Sequence, residues 1–315
     1  MQNFLRSYLL IWVQIPATPK PFSLFPKKRK AFYGLKRKRK KLLKKKRVDD
    51  IMRYGIIGCG HLGSAILDNL INSGIGKTDI YISDKNCSLT DLAKKTINVS
   101  RNNYDVAKNC DVLILAVQPK DMENVLKEIK EVCNLKKIIV TVAAGLETNF
   151  YDSKITAKVI RVMPNLALTV GEMAGAYCFG KNAARKDIEV LGILFGKNAK
   201  LIEISEDKMH VVTALSGCGP AFVAYFIGKF AKAAKEQGLD EKQALLLAEQ
   251  TFYGASKLMI QQKVLPESFI ERVATKGGIT ETALKVMDEA DVEKIINETI
   301  KAAVNKSKEV SSLNK

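Results

Sequence analysis

The sequence predicts an α/β fold, with a parallel-sheet domain first and an all-helical domain after it. Three observations carry that expectation. From Arg53 to about Glu203, short apolar runs alternate with stretches of helical spacing, the rhythm of a parallel sheet covered on both faces. Past Glu203 the strand-like runs stop and helical spacing continues alone. Three clusters of small residues, at 58–63, 215–221 and 275–280, stand where helices are expected to begin. A helix start built from Gly, Ser and Thr leaves its backbone N–H groups open to an anion.

The first domain is expected to open with a strand over 54–57. A helix over 62–73 follows, because Leu62, Ile66, Leu67, Leu70 and Ile71 recur at near-3.6 spacing. Further strands are expected at 80–83, at 112–116 (stopped near Pro119), at 138–142 and at 158–162, with helices at 89–95 and 122–131. The second half reads as helices over 206–213, 221–237, 240–261 (with a break near Gly254), 267–274, 280–289 and 292–306. The helix from Ala221 is apolar on nearly every side in its first turns: Ala221, Phe222, Val223, Ala224, Tyr225, Phe226, Ile227. A domain of about 100 residues cannot cover such a helix by itself, so a second copy of the chain is the expected cover. The expected division is a dinucleotide-binding domain at 52–204, a helical dimerisation and substrate domain at 205–309, and a disordered tail at 310–315.

Composition narrows the function classes. The formal net charge is +18, but residues 1–50 hold 16 Lys or Arg against Asp49 and Asp50, so +14 of it lies in the head. The body is then a mildly basic protein, and a nucleic-acid reading applies at most to the head. Within it, 14 of residues 27–47 are Lys or Arg; such a tract cannot bury a core and is expected to be disordered. An organelle-targeting or nuclear-type segment and a nucleic-acid or membrane-surface arm are two readings of it. The preferred reading is a non-native extension ahead of a true start at Met52, which leads straight into the first strand. The 6 cysteines are scattered singly and only 2 histidines occur. That argues against a zinc site or a disulfide framework and for a reducing, cytoplasmic setting. No uninterrupted apolar run reaches the ~18–20 residues of a spanning helix, and no membrane partner is expected.

The first cluster has the spacing of a dinucleotide site. Gly58-x-Gly60-x-x-Gly63 lies between a strand and a helix. Gly58 permits the tight turn, Gly60 lets a pyrophosphate approach the backbone, and Gly63 lets helix and strand pack closely. That makes the first domain Rossmann-type. Asp84 falls 21 residues past Gly63, placed to accept from ribose hydroxyls, which favours NAD. Lys85 and Asn86 follow at once and could hold a 2′-phosphate, so NADP and NAD both stay open.

Six segments then bring a family into view: 58–63; Ala116-Val117-Gln118-Pro119; Ala143-Ala144-Gly145; Arg161-Val162-Met163-Pro164-Asn165; Leu215-Ser216-Gly217-Cys218-Gly219-Pro220-Ala221; and Gly277-Gly278-Ile279-Thr280. In this order they resemble the pyrroline-5-carboxylate reductases, over about residues 52–301. The resemblance implies a Rossmann domain, a helical domain that interlocks two chains into a homodimer or higher homo-oligomer, and reduction of 1-pyrroline-5-carboxylate to proline by NADPH or NADH. It leans the cofactor toward NADP. It places Gly58, Gly60, His61, Leu62, Gly63, Asp84, Lys85, Ala116, Val117, Gln118, Pro119 and Asn165 at the cofactor. Thr275, Gly277, Gly278, Ile279 and Thr280 go to the substrate, with Thr280 as the hydroxyl that contacts the imine nitrogen or the carboxylate. The chain departs from the family at Gln118 (usually Lys), at Cys218 (usually Ser) and at Thr275-Lys276 (usually Ser-Pro).

The expected chemistry needs little acid–base apparatus, because a protonated cyclic imine is already electrophilic. Positioning and electrostatics are the expected work, with backbone N–H groups at 277–280 gripping the substrate carboxylate. The 215–221 cluster could serve substrate contact or close packing at a dimer interface. Rival readings are a β-hydroxyacid dehydrogenase relative, which would place a Lys where residues 221–228 have none, and a cofactor-binding regulatory relative without turnover. No metal is expected.

Overall fold

The computed structural model describes residues 52–85 and 97–313. The expectations for residues 1–51, the helix at 89–95, Asn86 and residues 314–315 lie outside the described residues.

An eight-stranded sheet runs in the order β3-β2-β1-β4-β5-β6-β7-β8. Its strands are β1 (Tyr54–Ile57), β2 (Ile80–Ser83), β3 (Asn98–Ser100), β4 (Val112–Leu115), β5 (Ile138–Thr141), β6 (Lys158–Met163), β7 (Ala174–Phe179) and β8 (Lys200–Glu203). All pairings are parallel except β6 with β7, which is antiparallel, so the expected parallel sheet is extended by two reversed strands, β7 and β8. β1, β4 and β5 are buried along their whole length, which is why they read as unbroken apolar runs rather than alternating ones. Successive residues face opposite layers. Ile56, Ile114 and Val140 join Ile66, Leu67, Leu70 and Phe195 in one core cluster, while Ile57, Leu115 and Ile139 join Met122, Val125, Leu126 and Tyr151 in another.

The helices over the sheet are α1 (His61–Asn72), α2 (Asn103–Asn109), α3 (Pro119–Ile129), α4 (Thr148–Asp152) and α5 (Glu189–Leu194). β3, β7, β8, α2, α4 and α5 have no counterpart in the sequence reading. They are short, and pairing or docking rather than local pattern creates them. α3 begins at Pro119, three residues earlier than expected, because a proline suits the first turn of a helix.

Beyond β8 the chain is helical: α6 (Met209–Val212), a π-helical turn (Thr213–Gly217), α7 (Gly219–Glu236), α8 (Glu241–Gln262), α9 (Pro266–Val273), α10 (Ile279–Glu289) and α11 (Val292–Leu313). Asp240 caps α8 by accepting from the Lys242 and Gln243 amides, and the helix passes Gly254 without the expected break. α11 runs on to Leu313, so the expected tail from 310 is helical as far as it is described. Buried Ser311 hydrogen-bonds the Gly145 carbonyl at 2.8 Å and anchors that end to the sheet region.

The two expected helices at 206–213 and 221–237 join into one run, Glu206–Glu236, of 31 residues. By length and composition it could span a membrane, a feature hidden when the sequence is split at the small residues 216–220. The 215–221 cluster is thus no open helix start: the Cys218 amide donates to Thr213 and the Ala221 amide to Cys218.

Candidate functional site

The parallel strands place their C-terminal ends, and the turns that follow, along one edge. The strand order reverses direction between β1 and β4, the switch point where open α/β sheets bind ligands. The glycine turn lies there. The Gly58 amide donates to Ser83 and the Ala116 amide to Ile57, tying the turn to both neighbouring strand ends. Gly58 has φ +94°, and a Cβ there would sit 2.7 Å from the Ala116 carbonyl oxygen. A Cβ on Gly63 would lie 2.0 Å from the Gly58 carbonyl oxygen, whereas one on Gly60 would meet nothing within 4 Å. Two glycines therefore serve the protein's own packing, and the third leaves open space above the backbone. Gly60 is the N-cap of α1 without a side-chain cap, so the first-turn amides of α1 are available to an anion.

A cleft of about 350 Å³ runs along this edge. Gly58, Cys59, Gly60, Asp84, Lys85, Ala116, Val117 and Gln118 all line it. Asp84 reaches back across the cleft and accepts from the Cys59 amide at 2.5 Å. Ser83, Asn103 and Asp121 also line the cleft and are absent from the sequence-derived site. The floor is a relay in which the Ser83 hydroxyl meets the Asn103 side-chain oxygen at 2.5 Å and the Asn103 amide donates to Glu128 at 2.7 Å. No local motif marks Asn103; it arrives through the packing of α2. Open space over Gly60, first-turn donors and a carboxylate at the end of β2 fit a dinucleotide.

The other expected cofactor residues, Gly63 among them, lie outside that lining. His61, Leu62 and Asn165 line a smaller cleft of about 200 Å³ with Pro164 and Gly217, and Pro119 lines neither cleft because it opens α3. A more open groove of about 710 Å³ follows the outer face of α1 and shares Cys59, Gly60 and His61 with the turn. The Asn165 amide donates to the Ser216 carbonyl at 3.2 Å, and the Ser216 hydroxyl donates to the Ala174 carbonyl at 2.6 Å. A Cβ on Gly217 would come 2.7 Å from the Met163 methyl. The small residues of the π turn are therefore used inside the chain, against the β6–β7 corner.

A buried ion pair reinforces that joint. Arg161, 3% exposed, meets Glu206 at 2.9 Å. Glu206 also accepts from the Thr148 amide at 2.7 Å and the Thr148 hydroxyl, with the Cys178 thiol 3.8 Å away. Burial, then the Glu206 charge, pushes the Cys178 thiol up to about 12. The pair holds the last segment before α6 to the sheet.

The 275–280 loop joins α9 to α10. Gly277 has φ +73°, and a Cβ on Gly278 would lie 2.5 Å from the Thr275 hydroxyl oxygen. The Gly277 amide is taken by the Glu281 carboxylate at 2.6 Å and the Gly278 amide by the Thr275 carbonyl at 2.9 Å. Neither glycine amide is then the open donor that the sequence suggests; Ile279 and Thr280 carry the first amides of α10. Ile279 is 92% exposed. None of the clefts lined by the glycine turn described above includes a residue of this loop. No group of three His, Cys, Asp or Glu among the described residues could hold a metal ion.

Comparison with known proteins gives concordant results. Residues 206–310 match the family model for pyrroline-5-carboxylate reductase dimerisation, and residues 53–145 match that for NADP oxidoreductase, coenzyme F420-dependent. A pyrroline-5-carboxylate reductase of Methanosarcina acetivorans is 34% identical over 267 residues, covering 82% of this chain and 97% of its own. The structure of a pyrroline-5-carboxylate reductase from Coxiella burnetii aligns with a TM-score of 0.79 at 26% identity, covering 83% of this chain and 99% of that one. That of Plasmodium falciparum pyrroline carboxylate reductase with NADP bound aligns at 0.71 and 28% identity, covering 82% and 98%.

Proposed function

The chain belongs to the pyrroline-5-carboxylate reductase family, and from that premise we propose how its own residues share out the reaction. It reduces 1-pyrroline-5-carboxylate to L-proline, the final step of proline biosynthesis. Bound NADPH or NADH supplies the hydride. The observation that carries the reading is the switch-point cleft, where the glycine turn leads into an α1 start whose first amides have no side-chain cap.

Gly58 and Gly63 shape the turn, and the amides of His61 and Leu62 at the start of α1 receive the pyrophosphate. Asp84 and Lys85 face the adenosine ribose. Ala116, Val117 and Gln118 line the nicotinamide side, with Pro119 fixing the start of α3 behind them. Asn165 acts through the π turn it holds and through the small cleft it shares with His61 and Leu62. On the substrate side, the Ile279 and Thr280 amides bind the carboxylate and the Thr280 hydroxyl orients the imine. Thr275, Gly277 and Gly278 hold that helix start in shape.

The helical region supports an oligomer. α7, α9 and α10 have no buried residue in the isolated chain, and these helices fall in the segment matched to the dimerisation family. A second copy is therefore the cover for the apolar run at 206–236, in preference to a membrane. The division at 204/205 follows the end of β8. Five free cysteines among the described residues support a cytoplasmic, reducing setting, and nucleic acid is left out of the proposed partners.

The test is oxidation of NADH and of NADPH by the purified chain with pyrroline-5-carboxylate. Turnover with at least one is expected; cofactor binding without turnover on either would instead support a regulatory relative. Thr280→Ala should lower kcat/KM by about tenfold or more, the worth of a hydrogen bond to a charged group, with the cofactor dissociation constant unchanged. An unaltered kcat/KM would remove Thr280 from the site.

A further inference from the structure

We propose that Asp84 makes NADH the better-bound reduced cofactor of this chain, with NADPH held more weakly. The proposal rests on the dinucleotide reading of the cleft and adds a preference that the sequence leaves open between Asp84 and Lys85.

Three placements decide between those two residues. Asp84 follows the last residue of β2 and accepts from the Cys59 amide at 2.5 Å. Its carboxylate is thereby fixed against the glycine turn, inside the cleft, instead of ranging over the surface. Lys85 lines the same cleft, and its ammonium lies 4.0 Å from Asp121 on the cleft wall. Among the described lining residues Lys85 is the only Lys or Arg, set against the carboxylates of Asp84 and Asp121.

A ribose with free hydroxyls brings donors to that environment, and a carboxylate accepts them in charge-assisted bonds. A 2′-phosphate brings up to two negative charges and no strong donor. It would meet Asp84 at close range, with the Asp121 carboxylate lying beside the one Lys of the described lining. The floor offers no relief, because the Ser83 hydroxyl and the Asn103 amide are engaged with each other and with Glu128.

The experiment measures dissociation constants of the full chain for NADH and NADPH by fluorescence titration, without substrate. Adenosine 5′-monophosphate and adenosine 2′,5′-bisphosphate serve as competitors that isolate the ribose end. NADH is expected to bind about tenfold or more tightly than NADPH, the scale of one charge-assisted hydrogen bond, and the monophosphate to compete better than the bisphosphate. Asp84→Asn keeps an oxygen for the Cys59 amide and removes the charge; it should narrow the NADH/NADPH ratio by about fivefold or more. If that variant does not fold, Asp121→Asn, which releases Lys85, should narrow the ratio by about twofold. Equal or tighter binding of NADPH by the unaltered chain overturns the proposal, as does an unchanged ratio in a folded Asp84→Asn variant. Failure to bind either dinucleotide removes the cleft reading as well, which separates the two claims.

Discussion

The sheet half and the helical half of this chain are both rich in apolar residues, yet they use them in opposite ways. In the sheet half, side chains such as Ile56, Leu113 and Ile139 are fully buried within one chain. In the helical half, Tyr225 is 62% exposed, Leu247 56% and Ile260 69%, and Ala244 is the one buried residue of α8. The first half closes its own core; the second presents a surface that only association can bury. Between them lies a polar joint made of Arg161, Glu206, Thr148 and Asn165. The difference teaches that apolar content by itself does not say where a core is, because the partner covering a helix can be another molecule.

The largest effect should come from placing a charge in the uncovered half. Tyr225→Glu would have to bury a carboxylate on association, at a cost of several kcal/mol. The dimer dissociation constant should rise by about a thousandfold, read by sedimentation. The sheet half should keep its fold, read by circular dichroism and cofactor binding. An oligomer unaffected by this change would mean that α7 is covered in some other way.

Breaking the joint should come next. Arg161→Met leaves Glu206 partly buried without its cation and should cost about 3–5 kcal/mol of stability. Adding Glu206→Leu should restore a large part of that loss, because the orphaned charge is gone. If the double variant is no better than the single one in urea denaturation, the joint depends on the Thr148 contacts and not on the ion pair.

Two glycines sharpen the comparison inside the sheet half. Gly63→Ala drives a methyl into the Gly58 carbonyl and should destabilise the chain by about 2 kcal/mol or more while also weakening cofactor binding. Gly60→Ala should leave stability within about 0.5 kcal/mol and still reduce dinucleotide affinity by about tenfold. A parallel loss of stability in both would deny Gly60 its role beside a ligand.

The last expected effect is alkaline and is set by pH rather than by substitution. Burial pushes the Cys110 and Cys178 thiols from 9.0 up to about 12, and Cys133 up to about 11. The folded chain holds these protons while the unfolded chain releases them. Their stabilisation is thus complete below about pH 9 and is lost as pH rises towards the folded values, by about 1.4 kcal/mol per thiol per pH unit. The urea midpoint should fall steadily from about pH 9 to about pH 10.5; a flat profile would show that these thiols are not shielded.

Much of this was legible in the residues. The strands at 54–57, 112–115 and 138–141 declare themselves because both faces are covered, leaving continuous apolar runs. β7 does not: its Ala174-Gly175-Ala176 start has weak strand propensity, and it exists because Cys178 and Tyr177 pair with Arg161 and Val162 of β6. The glycine turn was readable from spacing, since each Gly answers a steric demand that spacing encodes. The 215–221 cluster does hold the start of α7 at Gly219, but not an open one, for a physical reason. Small residues permit close approach in either setting, and a π turn docked on Met163 uses them as well as a cap does.

By itself the sequence determined what local physics determines: the alternation of strand and helix, the dinucleotide turn, the surplus of apolar surface in the helical half, and the family. Only the tertiary structure decided which groups stand face to face. It turned Lys85 towards Asp121 and Asp84 towards Cys59, closed the Gly277 and Gly278 amides with Glu281 and Thr275, and joined Arg161 to Glu206 across 45 positions. Those choices depend on distances between residues far apart in the chain or on side-chain direction, and neither periodicity nor spacing carries that information.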